Sequence, residues 1–267
     1  MHQMISELAE ALQYTFIQRA LIAGCLIAVC CSFLGVFLVL RKLSMIGDGL
    51  SHAAFATVAL ALLLNQSPLL VSIPLLMLAS VAIYALNKKA NLYGDAAIGM
   101  IAGTGIALGV LLASISDGFN VDLFSYLFGS ILAVGKEELY AAMFLCAAVI
   151  SVVVLFYNEL FSISYDEEFA EVNGIEVKRI NVLLMFAASI TIALGIRLVG
   201  TMLISSLIIF PAVTALQISS SFKKALILSA SIAVFSVISG IFAAYLLDFP
   251  AGATIVLVYA LLFIISF

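Results

Sequence analysis

Long uncharged apolar runs alternate along this chain with short polar breaks. Between consecutive charged side chains lie windows at 20–40, 49–87, 96–116, 123–135, 139–158, 180–196, 198–222, 225–247 and 249–267. Most match the roughly 20 residues that an α-helix needs to cross a hydrocarbon core. The 49–87 window is long enough for two spans. Asn65, Gln66, Ser67 and Pro68 supply a polar, helix-breaking turn inside it, so it predicts a helical hairpin. As a helix, 123–135 would be only about 20 Å long against a core of about 30 Å, and it is expected to be re-entrant or interfacial. The pattern predicts an all-α, polytopic transmembrane helical bundle of eight or nine spans, with 1–267 as a single membrane domain.

Composition removes the soluble alternative. Of the 267 residues, 65% are apolar and only 10% charged, with a mean hydropathy of +1.29. These values lie far outside the range of water-soluble domains. The net charge of −4 says little about partners, but no basic stretch suggests nucleic acid, and the lipid bilayer is the expected surrounding. Orientation follows from the basic pairs Arg41/Lys42, Lys88/Lys89, Lys178/Arg179 and Lys223/Lys224, which are retained in the cytoplasm more strongly than acidic residues are sorted. Placing all four inside requires one crossing before Arg41 and then two between successive pairs and after the last. The N-terminus is then outside and the C-terminus cytoplasmic. Glu7 and Glu10 precede the first Arg, at 19, so no basic signal-peptide region is present and the first segment is expected to stay.

Few residues carry chemistry. Cys25, Cys30, Cys31 and Cys146 fall within apolar segments without metal-ligand spacing and read as small buried thiols. Gly99/Gly103 and Gly105/Gly109 have the small-xxx-small spacing that lets helices pack closely in lipid. Gly129 to Glu137 superficially resembles a phosphate-binding loop, but five residues rather than four separate its glycines, and Glu137 stands where a magnesium-binding hydroxyl belongs. No ATPase site is therefore expected in the chain. Arg197 lies between two apolar windows near the predicted outer surface, where it is expected to snorkel to headgroups or help dock an outer protein. Asp117, Asp122 and Asp248 fall on the same side, either as attractors of cations or as ordinary solvated loop residues.

Two segments stand out. In Gly47-Asp-Gly-Leu-Ser-His52, Asp48 and His52 are four residues apart and share one helical face. Carboxylate plus imidazole suits Zn, Mn or Fe(II) better than Cu(I), which prefers sulfur. Two ligands cannot complete a metal shell, but two copies of the chain across a twofold axis would supply four. The alternative is that Asp48 caps the second helix while His52 bonds a neighbouring carbonyl. The second segment, 159–179, is acidic and expected in the cytoplasm. It reads as a short amphipathic helix over 164–174, with Ser164 and Glu167 as a capping box, Phe169, Ala170 and Val172 for apolar contact, and Gly174 as the left-handed terminator. It suits either contact with a soluble motor or an ordinary solvated loop.

At this point the sequence resembles the permeases of manganese, zinc and iron ABC importers. The matching stretches are Gln18 to Gly24; Gly35 to Ala54, with its Gly-Asp-x-x-Ser-His; Tyr126 to Leu132; Asp166 to Ala170 with Gly174 and Ile175; and Val199 to Ala212, with its Leu-Ile-x-x-Pro-Ala. The resemblance implies a type II importer-like fold in a prokaryotic cell membrane. Its implied partners are a second copy of the chain, cytosolic ATP-binding subunits that hydrolyse the ATP, and an extracytoplasmic metal-binding protein. It further implies that Asp48 and His52 coordinate the passing ion, with no tightly bound cofactor. Asp166, Glu167, Glu168, Phe169, Ala170 and Gly174 would belong to the helix that couples to the ATPase. Two rivals use the same residues differently: a gradient-driven metal transporter that needs no ATPase, and an intramembrane hydrolase with Asp48 and His52 as acid and base. The first lacks a clear internal repeat, and the second lacks a nucleophile elbow or zinc-protease motif.

Overall fold

The structure, a computed structural model, describes residues 13–89, 93–115 and 134–267. These residues form helices α1 (Thr15–Leu40), α2 (Ile46–Leu63), α3 (Pro68–Lys89), α4 (Gly94–Ile115), α5 (Lys136–Leu155), α6 (Tyr157–Tyr165), α7 (Glu167–Val172), α8 (Val177–Val199), α9 (Thr201–Ile218), α10 (Phe222–Leu247) and α11 (Ala251–Ser266), with no strand among them. Seven helices (α1 to α5, α8 and α10) are long and apolar enough to cross a membrane, and α9 and α11 are shorter apolar helices. Together they match the nine apolar segments read from the charge spacing. The hairpin expected within 49–87 is present: α2 ends at Leu63, Asn65 turns with φ of 52°, and Pro68 starts α3. The expected re-entrant segment at 123–135 lies outside the described residues, save Val134 and Gly135, which lead into α5. Asp117, Asp122 and the 126–132 stretch also lie outside them.

Helix α1 is the axis of the bundle. It is apolar all round, and Ala20, Ile27, Ala28, Cys30, Cys31, Val36, Phe37 and Leu38 are all inaccessible to solvent. Helices α5, α8, α9 and α10 pack around it, while α2 packs against α3, α4 and α9. No cysteine is disulfide-bonded, and Cys30, Cys31 and Cys146 are buried, as their apolar settings predict. The four basic pairs stand just after α1, at the end of α3, and in the first turns of α8 and α10. Side chains tie three of these ends together, and the Phe37 ring near the end of α1 lies tilted against Phe222 at the start of α10, 5.4 Å between centroids. All four pairs therefore gather at one end of the bundle, the arrangement that the charge rule requires.

The two glycine pairs in α4 behave differently. A Cβ at Gly105 would meet the Cα of Ala53 at 2.6 Å and the carbonyl oxygen of His52 at 3.0 Å, and one at Gly109 would strike the Phe55 ring. This pair seats α4 directly on α2. Gly99 and Gly103 face open space, so the packing expected of all four glycines holds within the chain only for Gly105 and Gly109. Gly105→Ala is expected to destabilise the bundle by about 1–3 kcal/mol through overpacking, whereas Gly103→Ala stays within about 0.5 kcal/mol of wild type. Thermal unfolding of the purified variants in detergent checks this, and equal losses from both would contradict the packing.

Candidate functional site

Asp48 and His52 sit in the first two turns of α2. Their side chains project from one face, with His52 Nε2 3.6 Å from Asp48 Oδ2. Asp48 does not cap the helix: that position belongs to Met45, which makes no side-chain cap, and Asp48 lies within the first turn. The flanking glycines explain the aim of the carboxylate. At about 100° per residue, Gly47 and Gly49 point to nearly opposite sides of the helix, with Asp48 between them. A Cβ at Gly47 would meet Ile208 Cδ1 at 3.0 Å and Ser205 Cα at 3.3 Å on α9, and one at Gly49 would collide with Ile98 on α4. Helix α2 is thus wedged between α9 and α4, and the Asp48–His52 face is the one left open. The two side chains remain 44% and 43% exposed in a single copy. Ser51 steadies the turn by donating to the Asp48 carbonyl at 2.8 Å. Among the described residues no group of three or more His, Cys, Asp or Glu side chains is placed to hold a metal ion, so those residues offer this face two candidate ligands and no third.

At the basic end, the polar segment folds as two helices rather than one over 164–174. Ser164 lies inside α6 and donates to the Leu160 carbonyl. Asp166 is the cap of α7 instead, its Oδ1 accepting from the Phe169 N–H at 3.0 Å. The capping box expected from Ser164 and Glu167 therefore does not form, because the chain breaks helix two residues later and an aspartate caps as well as a serine. Gly174 terminates the segment with φ of 83°, as expected. Ala170 is fully buried, while Glu168, Phe169 and Val172 face solvent.

Glu167 turns inward. Its Oε1 accepts from Lys88 Nζ at 2.7 Å and from Asn181 Nδ2 at 2.9 Å, and its Oε2 is 3.7 Å from Arg41 Nη2. Asn181 is fully buried; it also donates to the Tyr84 hydroxyl at 3.1 Å, and its Oδ1 accepts from Arg41. Burial pulls the Arg41 guanidinium below its ordinary value, and the charges of Glu167 and then Tyr84 act against that. Sequence reasoning missed this cluster. The available signal was Asn181 itself, an amide inside an apolar window immediately after a basic pair.

A model of the ABC 3 transport family matches residues 13–267. The chain belongs to the ABC 3 transport family. It is 34% identical over 265 residues to the manganese import system permease protein ScaB of Streptococcus parasanguinis, covering 99% of this chain and 94% of that protein. It is 32% identical over 247 residues to the high-affinity zinc uptake system membrane protein ZnuB of Haemophilus influenzae, covering 92% and 95%. PsaBC from Streptococcus pneumoniae, solved in complex with Fab, superposes with a TM-score of 0.87 at 32% identity over 98% of this chain and 95% of that one.

In this member of the ABC 3 transport family, two of the stretches that carry the resemblance pack on each other. The Leu-Ile-x-x-Pro-Ala stretch of α9 places the Ile208 carbonyl and Ala212 against Gly35, while the Ile208 side chain meets Gly47. Arg197, expected to snorkel or dock a partner, instead pairs with Glu138 at 2.8 Å and so joins the end of α8 to the start of α5. A salt bridge within reach satisfies the guanidinium more cheaply than extension to headgroups. Asp166→Ala is expected to cost about 1 kcal/mol of local stability and to raise amide exchange over 167–172 about fivefold. Ser164→Ala should leave that exchange at the wild-type rate, and acceleration by it would restore the capping box.

Proposed function

We propose that this chain is the membrane permease of an ATP-driven importer of a divalent transition-metal ion, and that two copies form the pathway. The carrying observation is the open face of α2, where a carboxylate and an imidazole stand 3.6 Å apart with no third His, Cys, Asp or Glu beside them among the described residues. Zinc is bound in tetrahedral sites by about four ligands, so a single copy is half a site. Two copies related by a twofold axis would present two Asp48 and two His52. Such a site binds through side chains held on a rigid helix yet lets the ion leave, as transport requires. Names of the relatives point to manganese and zinc, and iron shares the same ligand preference.

In this reading the basic end is cytoplasmic, the N-terminus is outside, and the C-terminus is inside. The protein resides in the plasma or inner membrane of a prokaryote. The exposed face of α7, with Glu168, Phe169 and Val172, receives cytosolic ATP-binding subunits. The opposite end receives an extracytoplasmic metal-binding protein. ATP-driven closure of the partner subunits shifts α7 and alternates access to the Asp48–His52 site between the two sides. The ion is cargo, and the chain needs no resident cofactor.

Asp48→Ala and His52→Ala are each expected to reduce ATP-dependent uptake of Zn or Mn to background in reconstituted vesicles, without loss of assembly with the ATP-binding subunits. Undiminished uptake in both variants would remove the site assignment. Uptake by the wild-type permease alone, driven by an ion gradient, would favour the secondary-transporter rival.

A further inference from the structure

We infer that Glu167 is a positioning residue that links α7 to the turn aiming the Asp48–His52 helix. The link runs through a partly buried polar clasp made with Arg41, Lys88 and Asn181. The inference rests on the reading that α7 receives motion from ATP-binding subunits.

The clasp joins four elements at one carboxylate. Glu167 belongs to α7, Lys88 to the end of α3, Asn181 to the second turn of α8, and Arg41 is the residue that ends α1. Each polar atom of Asn181 is used: its oxygen accepts from Arg41, and its nitrogen donates to Glu167 and Tyr84. The Arg41 side chain is only 9% exposed, so it cannot exchange Glu167 for water without moving. A six-residue helix with one fully buried apolar side chain, Ala170, has little other hold on the bundle.

Arg41 is also where α1 passes into α2. The Arg41 and Lys42 N–H groups return to the carbonyls of Phe37 and Val39, and the Leu43 N–H to Leu38, while Lys42 adopts φ of 57°. Leu43 is nearly buried, Ile46 is fully buried, and Ile46 donates to the Leu43 carbonyl. From Arg41 to Met45 the chain is therefore a tight turn with no slack, and it enters a helix wedged at Gly47 and Gly49. A displacement of α7 that carries Glu167 pulls on Arg41 and reaches the metal ligands through covalent backbone and packed contacts. Lys88 and Asn181 keep the carboxylate from following α7 alone, so α3 and α8 move with it. Among the described residues, nothing comparable links the outward face of α7, with Phe169 and Val172, to α2.

The test uses the assembled complex of permease and ATP-binding subunits in vesicles, with Mn as the transported probe. Glu167→Gln keeps the shape and an acceptor for Asn181 but removes the charge that holds Arg41 and Lys88. It is expected to lower the ions imported per ATP hydrolysed at least fivefold and to raise amide exchange at 42–48. Glu167→Asp should recover part of both. Wild-type values of the ions-per-ATP ratio and of exchange at 42–48 in Glu167→Gln would overturn the clasp while leaving the permease reading intact. A fall of uptake and hydrolysis in proportion would also overturn it, because that is the signature of a merely structural role. If the wild-type complex hydrolyses ATP while importing neither Mn nor Zn, the permease reading itself fails.

Discussion

Helix α2 reaches backbone distance of α9 and α4 because the residues on either side of Asp48 have no side chain. Each glycine removes the one atom that would hold the neighbouring helix away: Ser205 and Ile208 close on Gly47, and Ile98 closes on Gly49. In lipid, where apolar burial gives no net drive for helices to associate, such close approach is the main source of packing energy. The same wedge fixes the rotation of α2 about its axis. A rotated α2 would bury Asp48 against an apolar neighbour at a cost of several kcal/mol. The open face that carries Asp48 and His52 is thus a consequence of the packing of the other two faces.

The opposite requirement governs the basic end. There the chain places an arginine, a lysine, an amide and a carboxylate in one partly buried cluster, which is tolerable because nearly every donor has an acceptor. The bundle is held by apolar close packing through its middle and by charge-assisted bonds at its two rims, Glu167 with Arg41 and Lys88 at one and Arg197 with Glu138 at the other. Between the rims, Gly35 of α1 and Gly47 of α2 bring both helices into close contact with α9.

Much of this was legible from sequence. Charge spacing marked the long apolar helices among the described residues, and the basic pairs chose one end, because a bilayer penalises charge in its core so strongly that placement is nearly forced. The pairing of Asp48 with His52 followed from helical periodicity alone. What escaped was long-range or local in detail. Asn181 is 140 residues from Arg41, and nothing in the one-dimensional pattern says which buried amide meets which guanidinium. Ser164 and Asp166 are both good caps two residues apart, and tertiary packing chose between them. Gly99/Gly103 and Gly105/Gly109 share one spacing, yet only the pair facing α2 is in contact.

The central claim is that one metal site is shared between two chains. Mixed dimers make the most direct measurement: copies carrying different affinity tags, one wild type and one with both Asp48→Ala and His52→Ala, purified through both tags and reconstituted with the ATP-binding subunits and binding protein. A shared site predicts that Mn uptake by these mixed dimers falls to background, since half of the ligands are gone from the only site. Uptake at half the wild-type rate would mean that each chain carries its own pathway and would contradict it.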